Sequence, residues 1–314
     1  MGKKLTIGTS LSDPGMRAAV ALLCCFLWGC VFPFNIIEYG LLGIDGQDVP
    51  ELLLFAGYRF SMGGALAIIG YSIYCKRFLL PKKHELLAIL VLGLIHTAGQ
   101  FCLNYIGQAR MSGTKCAIFT GLNPFLAILL ACFIFRQERM TKRKVMSCAV
   151  GFAGIVAANL NGLDVSFRLA AEGIFLMSVF LGSLGNCMIK NMTKTMDAPT
   201  LNGYQMLIGG LVLILGGTAM GGKLSFAEPG SVSVLLALAF IAAVAQLLWT
   251  ILLKHNEVST VSIFNFMSPV FGVFLSALFI ADEKITLLTV VALVFITIGI
   301  IIANTGKKRT EKHI

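Results

Sequence analysis

The sequence predicts an all-α transmembrane protein of ten helices, arranged as two inverted five-helix repeats (5+5). Three observations carry this expectation. Hydrophobic residues fill 57% of the 314 positions and charged residues 13%, well below the charged share of about 25% usual in globular domains. Ten stretches approach the roughly 20 apolar residues that a helix needs to cross about 30 Å of hydrocarbon. The second half of the chain also repeats the first.

The predicted spans run 16–37, 52–74, 86–107, 112–135, 142–160, 169–190, 199–220, 232–253, 258–280 and 285–304. The first follows a basic N-terminus, but its apolar run exceeds a signal-peptide core and lacks an A-x-A site, so it reads as a retained helix. LWGC at 27–30 sets a bulky Trp28 where a lipoprotein site wants a small residue. Span 2 holds Arg59, span 3 a polar stripe, and spans 4 and 9 each a central proline, Pro124 and Pro269. Spans 5 and 10 open behind Thr141 and Thr286, good N-caps each set three residues after a glutamate, Glu138 and Glu283. Those glutamates read as turn-ordering residues, although their duplication fits a gate equally well. Span 7 runs into GGTAMGGK (216–223), close to a phosphate-binding loop; Leu224 stands where Ser or Thr would hold magnesium, and no strand precedes it. An ATP-driven pump is therefore not expected. The joining loops are too short for a separate soluble domain, and the nine cysteines, mostly in apolar spans, imply no disulfide framework.

The net charge of +10 reflects topology rather than nucleic-acid binding, because the basic residues fall in alternate loops. With the N-terminus in the cytoplasm, nineteen Lys and Arg lie on that side. Five lie outside (Arg110, Lys115, Arg168, Lys223 and Lys284), and Arg59 sits within a span. Both termini are expected to be cytoplasmic, in a multi-pass protein of the cell (inner) membrane.

A shift of 145 positions aligns Thr114–Asn159 with Ser259–Asn304 without a gap, with eleven of 46 positions identical. The identities include Pro124/Pro269, Glu138/Glu283, Thr141/Thr286 and Gly154/Gly299. A shift of 146 pairs GYRFSMGG (57–64) with GYQMLIGG (203–210), and Gln100 with Gln246. Five helices is an odd number, so the two copies, 16–160 and 169–304, enter from opposite sides. Inverted repeats of this kind recur in secondary transporters, where they supply two oppositely facing states.

The duplicated sets NPFLAILLACFIFRQERMT and SPVFGVFLSALFIADEKIT, each followed by a Gly-bearing helix, resemble the drug/metabolite transporter superfamily and its EamA-type permeases. Leu27–Gly29 and Tyr58–Phe60 extend the likeness over nearly the whole chain. The resemblance implies a ten-helix permease that exports or imports small metabolites such as amino acids. Span 6 departs from it, with FLGSLGN where a Trp-Gly counterpart would stand.

His96, Gln100, Asn104 and Gln108 recur every four residues and form one slowly turning polar stripe. Against lipid their donors and acceptors would go unpaired, at several kcal/mol each, so the stripe must face the bundle interior. There it either lines a translocation path or joins helices. Gln246 and Trp249 answer it on span 8. Pro124 and Pro269 free the carbonyls of Thr120 and Asn265; Asn123 and Ser268 add polarity at the same depth. Both prolines read as hinges, as breaks lining a cavity, or as both. Arg59 either takes a substrate carboxylate or reaches out to Glu38, Asp45, Asp48 or Glu51. Trp28, Asn186, Tyr204 and Gln205 complete the candidate substrate-binding set, which suits a small amphipathic solute such as an amino acid. No cofactor or metal is expected, and no catalytic residue. A membrane enzyme acting on a lipid-soluble substrate, or a scaffold that transports nothing, are the competing readings. No motif specifies cargo, direction, coupling ion or oligomeric state.

Overall fold

A computed structural model describes residues 13–111, 113–158, 167–279 and 287–304, and every regular element among them is helical. We number the helices α1 (Pro14–Leu42), α2 (Val49–Cys75), α3 (Lys83–Gln108), α4 (Lys115–Ile134), α5 (Lys142–Ala158), α6 (Leu169–Met192), α7 (Ala198–Ala219), α8 (Ser231–His255), α9 (Val258–Phe279) and α10 (Leu287–Asn304). Eight of these, all but α5 and α10, are long and apolar enough to cross a membrane. The chain is a multi-pass membrane protein. Glu283 and Thr286 lie outside the described residues.

Several helices outrun the apolar stretch that predicts them, because their ends are set by capping chemistry rather than by hydropathy. Asp13 caps α1 by accepting from the backbone N–H groups of Gly15 and Met16, at 3.0 and 3.1 Å. The helix closes at Gly43, whose φ of 68° is left-handed. Glu38, placed by hydropathy beyond the end of span 1, therefore lies inside α1. It is fully buried, and neither carboxylate oxygen has a hydrogen-bond partner among the described residues. Lys115, expected at the outer end of span 4, is buried near the start of α4 and pairs with the equally buried Glu172 of α6 at 2.8 Å.

The outer surface is apolar: Ile73, Leu87, Leu169, Leu278 and Leu287 are each more than 70% exposed. In water such a surface would aggregate; in a bilayer it is the solvated face. Helix contacts inside the bundle rely on glycine. A β-carbon at Gly57 would stand 2.8 Å from the Gly210 carbonyl oxygen, and one at Gly64 2.6 Å from that of Gly203, so α2 and α7 run antiparallel with their backbones in touch. Helices α5 and α10 meet similarly, with Gly154 against Ala292 and Gly299 against Ser147.

Both proline-bearing helices are interrupted. Helix α4 breaks in a turn at 121–122, just before Pro124, and α9 passes through a tighter 3₁₀ segment, Ile263–Phe266, before Pro269. Helix α3 carries a π-helical segment, Gly93–Gly99, a rare winding that recurs at functional sites.

Candidate functional site

The interrupted helices and α3 surround a cavity of about 490 Å³. Its floor is aromatic. Trp28 of α1 meets Trp249 of α8 edge-on with ring centroids 4.9 Å apart, and the Trp249 indole donates to Asn186 Oδ1 of α6 at 3.3 Å. From there the lining climbs past His96, Gln100 and Gln205 to Tyr39, Asn104 and the exposed Gln108.

Each polar side chain is seated by a local feature of sequence. His96 and Gln100 fit against α6 because Gly182 and Gly185 face them; a β-carbon at Gly182 would stand 2.9 Å from Gln100 Nε2, and one at Gly185 would collide with the imidazole. Thr97, on the π segment, donates to Gln205 Oε1 at 2.7 Å. Higher up, Gln108 Nε2 donates to Asn104 Oδ1 at 2.5 Å, one turn along the helix. Asn265 Nδ2 donates to Asn123 Oδ1 at 3.5 Å, so the two broken helices meet at the cavity wall.

Of the twelve side chains singled out in the sequence, eleven line this one cavity: Trp28, Arg59, His96, Gln100, Asn104, Asn123, Asn186, Gln205, Gln246, Trp249 and Asn265. Tyr204 stands apart, its hydroxyl donating to the Leu79 carbonyl at 2.9 Å. Asn35 and Tyr39 also line the cavity and have no counterpart among the sequence candidates. They occupy the stretch of α1 where hydropathy gives no sign of a facing partner.

Two buried polar atoms in this lining, Arg59 Nε and Gln100 Oε1, have no partner among the described residues, while His96 lies against the Gln205 amide and Ser268 against the Cys25 thiol. Buried polar groups are normally paired, and here the unpaired ones converge on one space. That is the pattern of a ligand site, in which a few polar groups fix orientation against apolar walls.

At the opposite end of the bundle the helices are tied together. The Glu138 carboxylate accepts from Lys144 Nζ at 2.6 Å, from the Ser259 backbone N–H at 3.0 Å and from the Ser259 hydroxyl. Thr141 accepts from the Lys144 backbone N–H at 3.3 Å, the capping contact expected there. Lys190 donates to the Asn256 carbonyl at 2.7 Å, Arg17 to the Asn256 side chain at 3.3 Å, and Gln137 to the Cys187 carbonyl at 2.7 Å. Polar access from one end and a tied-off other end define the class: a membrane transporter for small solutes.

The chain belongs to the EamA-like transporter family, which matches it twice, at residues 16–160 and 170–305. It is 26% identical to the uncharacterized transporter YvbV of Bacillus subtilis, over 93% of each chain. It is likewise 26% identical to the probable amino-acid metabolite efflux pump of Escherichia coli, over 91% of this chain and 94% of that one. A more partial match, at 22% identity over 63% of this chain and 62% of the other, is the S-adenosylmethionine/S-adenosylhomocysteine transporter of Chlamydia muridarum. One solved crystal structure shares the fold, with a TM-score of 0.74 at 14% identity, covering 93% of this chain and 98% of its own.

Proposed function

We propose that this permease moves its small metabolite through the 490 Å³ cavity by alternating access between two inverted five-helix repeats, 16–160 and 169–304. All ten helices, α5 and α10 included, cross the membrane in this reading, and both termini lie in the cytoplasm of a cell-membrane protein. The carrying observation is the symmetry of the glycine contacts. Exchanging the halves by the 146-residue shift turns the Gly57–Gly210 contact into Gly203–Gly64, and the 145-residue shift turns Gly154–Ala292 into Gly299–Ser147. Paired contacts of this kind are what a two-fold axis in the membrane plane produces.

The tied end, held by Glu138, Lys190 and Arg17, would be the cytoplasmic one, and the cavity would open outward. Opening the other way means breaking those contacts and making their counterparts at the far end. The cavity size suits a single small solute. The names of the Escherichia coli and Chlamydia relatives, a probable amino-acid metabolite efflux pump and an S-adenosylmethionine/S-adenosylhomocysteine transporter, are in keeping with that scale.

The test is direct. Proteoliposomes loaded with a total small-metabolite extract should release one or a few compounds in a protein-dependent way, identified by mass spectrometry. Gln100→Ala and Gln246→Ala should slow that release at least several-fold. Vesicles that lose nothing beyond the protein-free control would reject the permease reading; unchanged release in both variants would reject this site.

A further inference from the structure

We propose that Arg59 receives an anionic group of the cargo, so that the cavity selects organic monoanions with an apolar body; this rests on the permease reading above. Among the described residues, Arg59 is the only Arg, Lys, Asp or Glu in the cavity lining. It is 5% exposed, so it does not reach out to the membrane surface. Its guanidinium carbon stands 4.6 Å from the centre of the Phe60 ring and 5.6 Å from that of Phe55, while Nη1 donates to Asn35 Oδ1 at 3.2 Å and Nε has no partner. Among the described residues no carboxylate lies within 4 Å of it. Glu38, one turn beyond Asn35 on α1, is not in ion-pair contact.

An arginine desolvated to this degree is costly unless something balances its charge. Two ring faces and one amide oxygen soften the cost without neutralising the cation. A planar, two-oxygen anion such as a carboxylate matches the guanidinium fork and can take two parallel hydrogen bonds. The rest of the lining fits the remainder of such a molecule. Trp28, Trp249 and Met206 offer apolar surface, and the amides of Gln100 and Gln246 can meet one neutral polar substituent. With a single Arg or Lys and no acid among the described lining residues, a second negative charge or an ammonium group would enter without a counter-charge.

The probes are phenylacetate, its neutral amide phenylacetamide and the cation phenethylamine, titrated calorimetrically against the full chain in lipid nanodiscs. Phenylacetate should bind at least ten-fold more tightly than either isostere. Arg59→Gln should erase that preference, and Arg59→Lys should keep a reduced one, with melting curves reporting folding. Should Arg59→Gln not fold, the ranking by the wild type and by Arg59→Lys decides. Equal affinity for all three probes, a preference for the amine, binding of none, or an unaltered preference in Arg59→Gln would overturn the inference. The metabolite-release experiment separates the two failures: vesicles that release only neutral or cationic compounds leave the permease standing and the anion site refuted, whereas vesicles that release nothing refute the permease.

Discussion

Tyr204 and Gln205 are chain neighbours, both polar, and the bundle separates their roles. Gln205 turns into the cavity beside Thr97, while the Tyr204 hydroxyl is spent on the Leu79 carbonyl. Tyr204→Phe should therefore leave transport unchanged and lower stability by only about 1 kcal/mol, the usual worth of one such bond; a flux assay beside a thermal melt checks both halves. Gly185→Ala should do the reverse, because its β-carbon lands on the His96 ring and must displace it within the lining. We expect at least a ten-fold loss of flux with the protein still folded. The spacing of His96, Gln100, Asn104 and Gln108 was legible in sequence, since four-residue spacing survives a helix and amides cannot face lipid. Asn35 and Tyr39 were not legible. A single polar residue in an apolar run carries no period, and only the approach of α2, bringing Arg59, gives Asn35 a meaning.

The ends of the elements hold the chemistry of closure. Glu138 is 1% exposed at its side chain, paired with Lys144 and also accepting the N–H of Ser259 at the start of α9. Removing one partner of so buried a pair costs about 3–5 kcal/mol in the state that contains it, so Glu138→Ala should loosen this end. The expected readout is faster maleimide labelling of Cys187, a free buried thiol whose carbonyl is bonded by Gln137 next to Glu138, followed by peptide mass spectrometry. Labelling at the wild-type rate would mean that the glutamate only orders a turn. Sequence showed the glutamate and its threonine as a local motif and read them as turn chemistry, with a gate as an equal fit to their duplication. The contact to Ser259 lies 121 residues away, beyond the reach of any local pattern. Helix boundaries were hidden for a related reason: hydropathy marks where lipid would be, and Asp13 and Gly43 mark where the hydrogen bonds of α1 begin and end.

At the scale of the whole molecule, the apolar exterior was readable from composition, the eight candidate spans from the apolar runs along the chain, and the duplication from aligning the chain with itself. The orientation of those halves makes a prediction of its own. Reporter fusions at either terminus, a fluorescent protein that matures only in the cytoplasm and a phosphatase active only outside it, should both report the cytoplasm; opposite answers would exclude an even number of crossings. The antiparallel pair α2 and α7 bears on how such a molecule moves. Gly57 touches Gly210 and Gly64 touches Gly203, and swapping the halves returns the same two contacts. A seam that is its own image would look identical whichever way the protein faces, so in the proposed cycle it would have nothing to rearrange. Gly64→Val and Gly210→Val, each the image of the other under that exchange, should then do the same kind of damage, both failing at assembly rather than at turnover. In the cycle proposed above, motion would be left to the helices around that seam, with α2 and α7 as the axle on which they would turn.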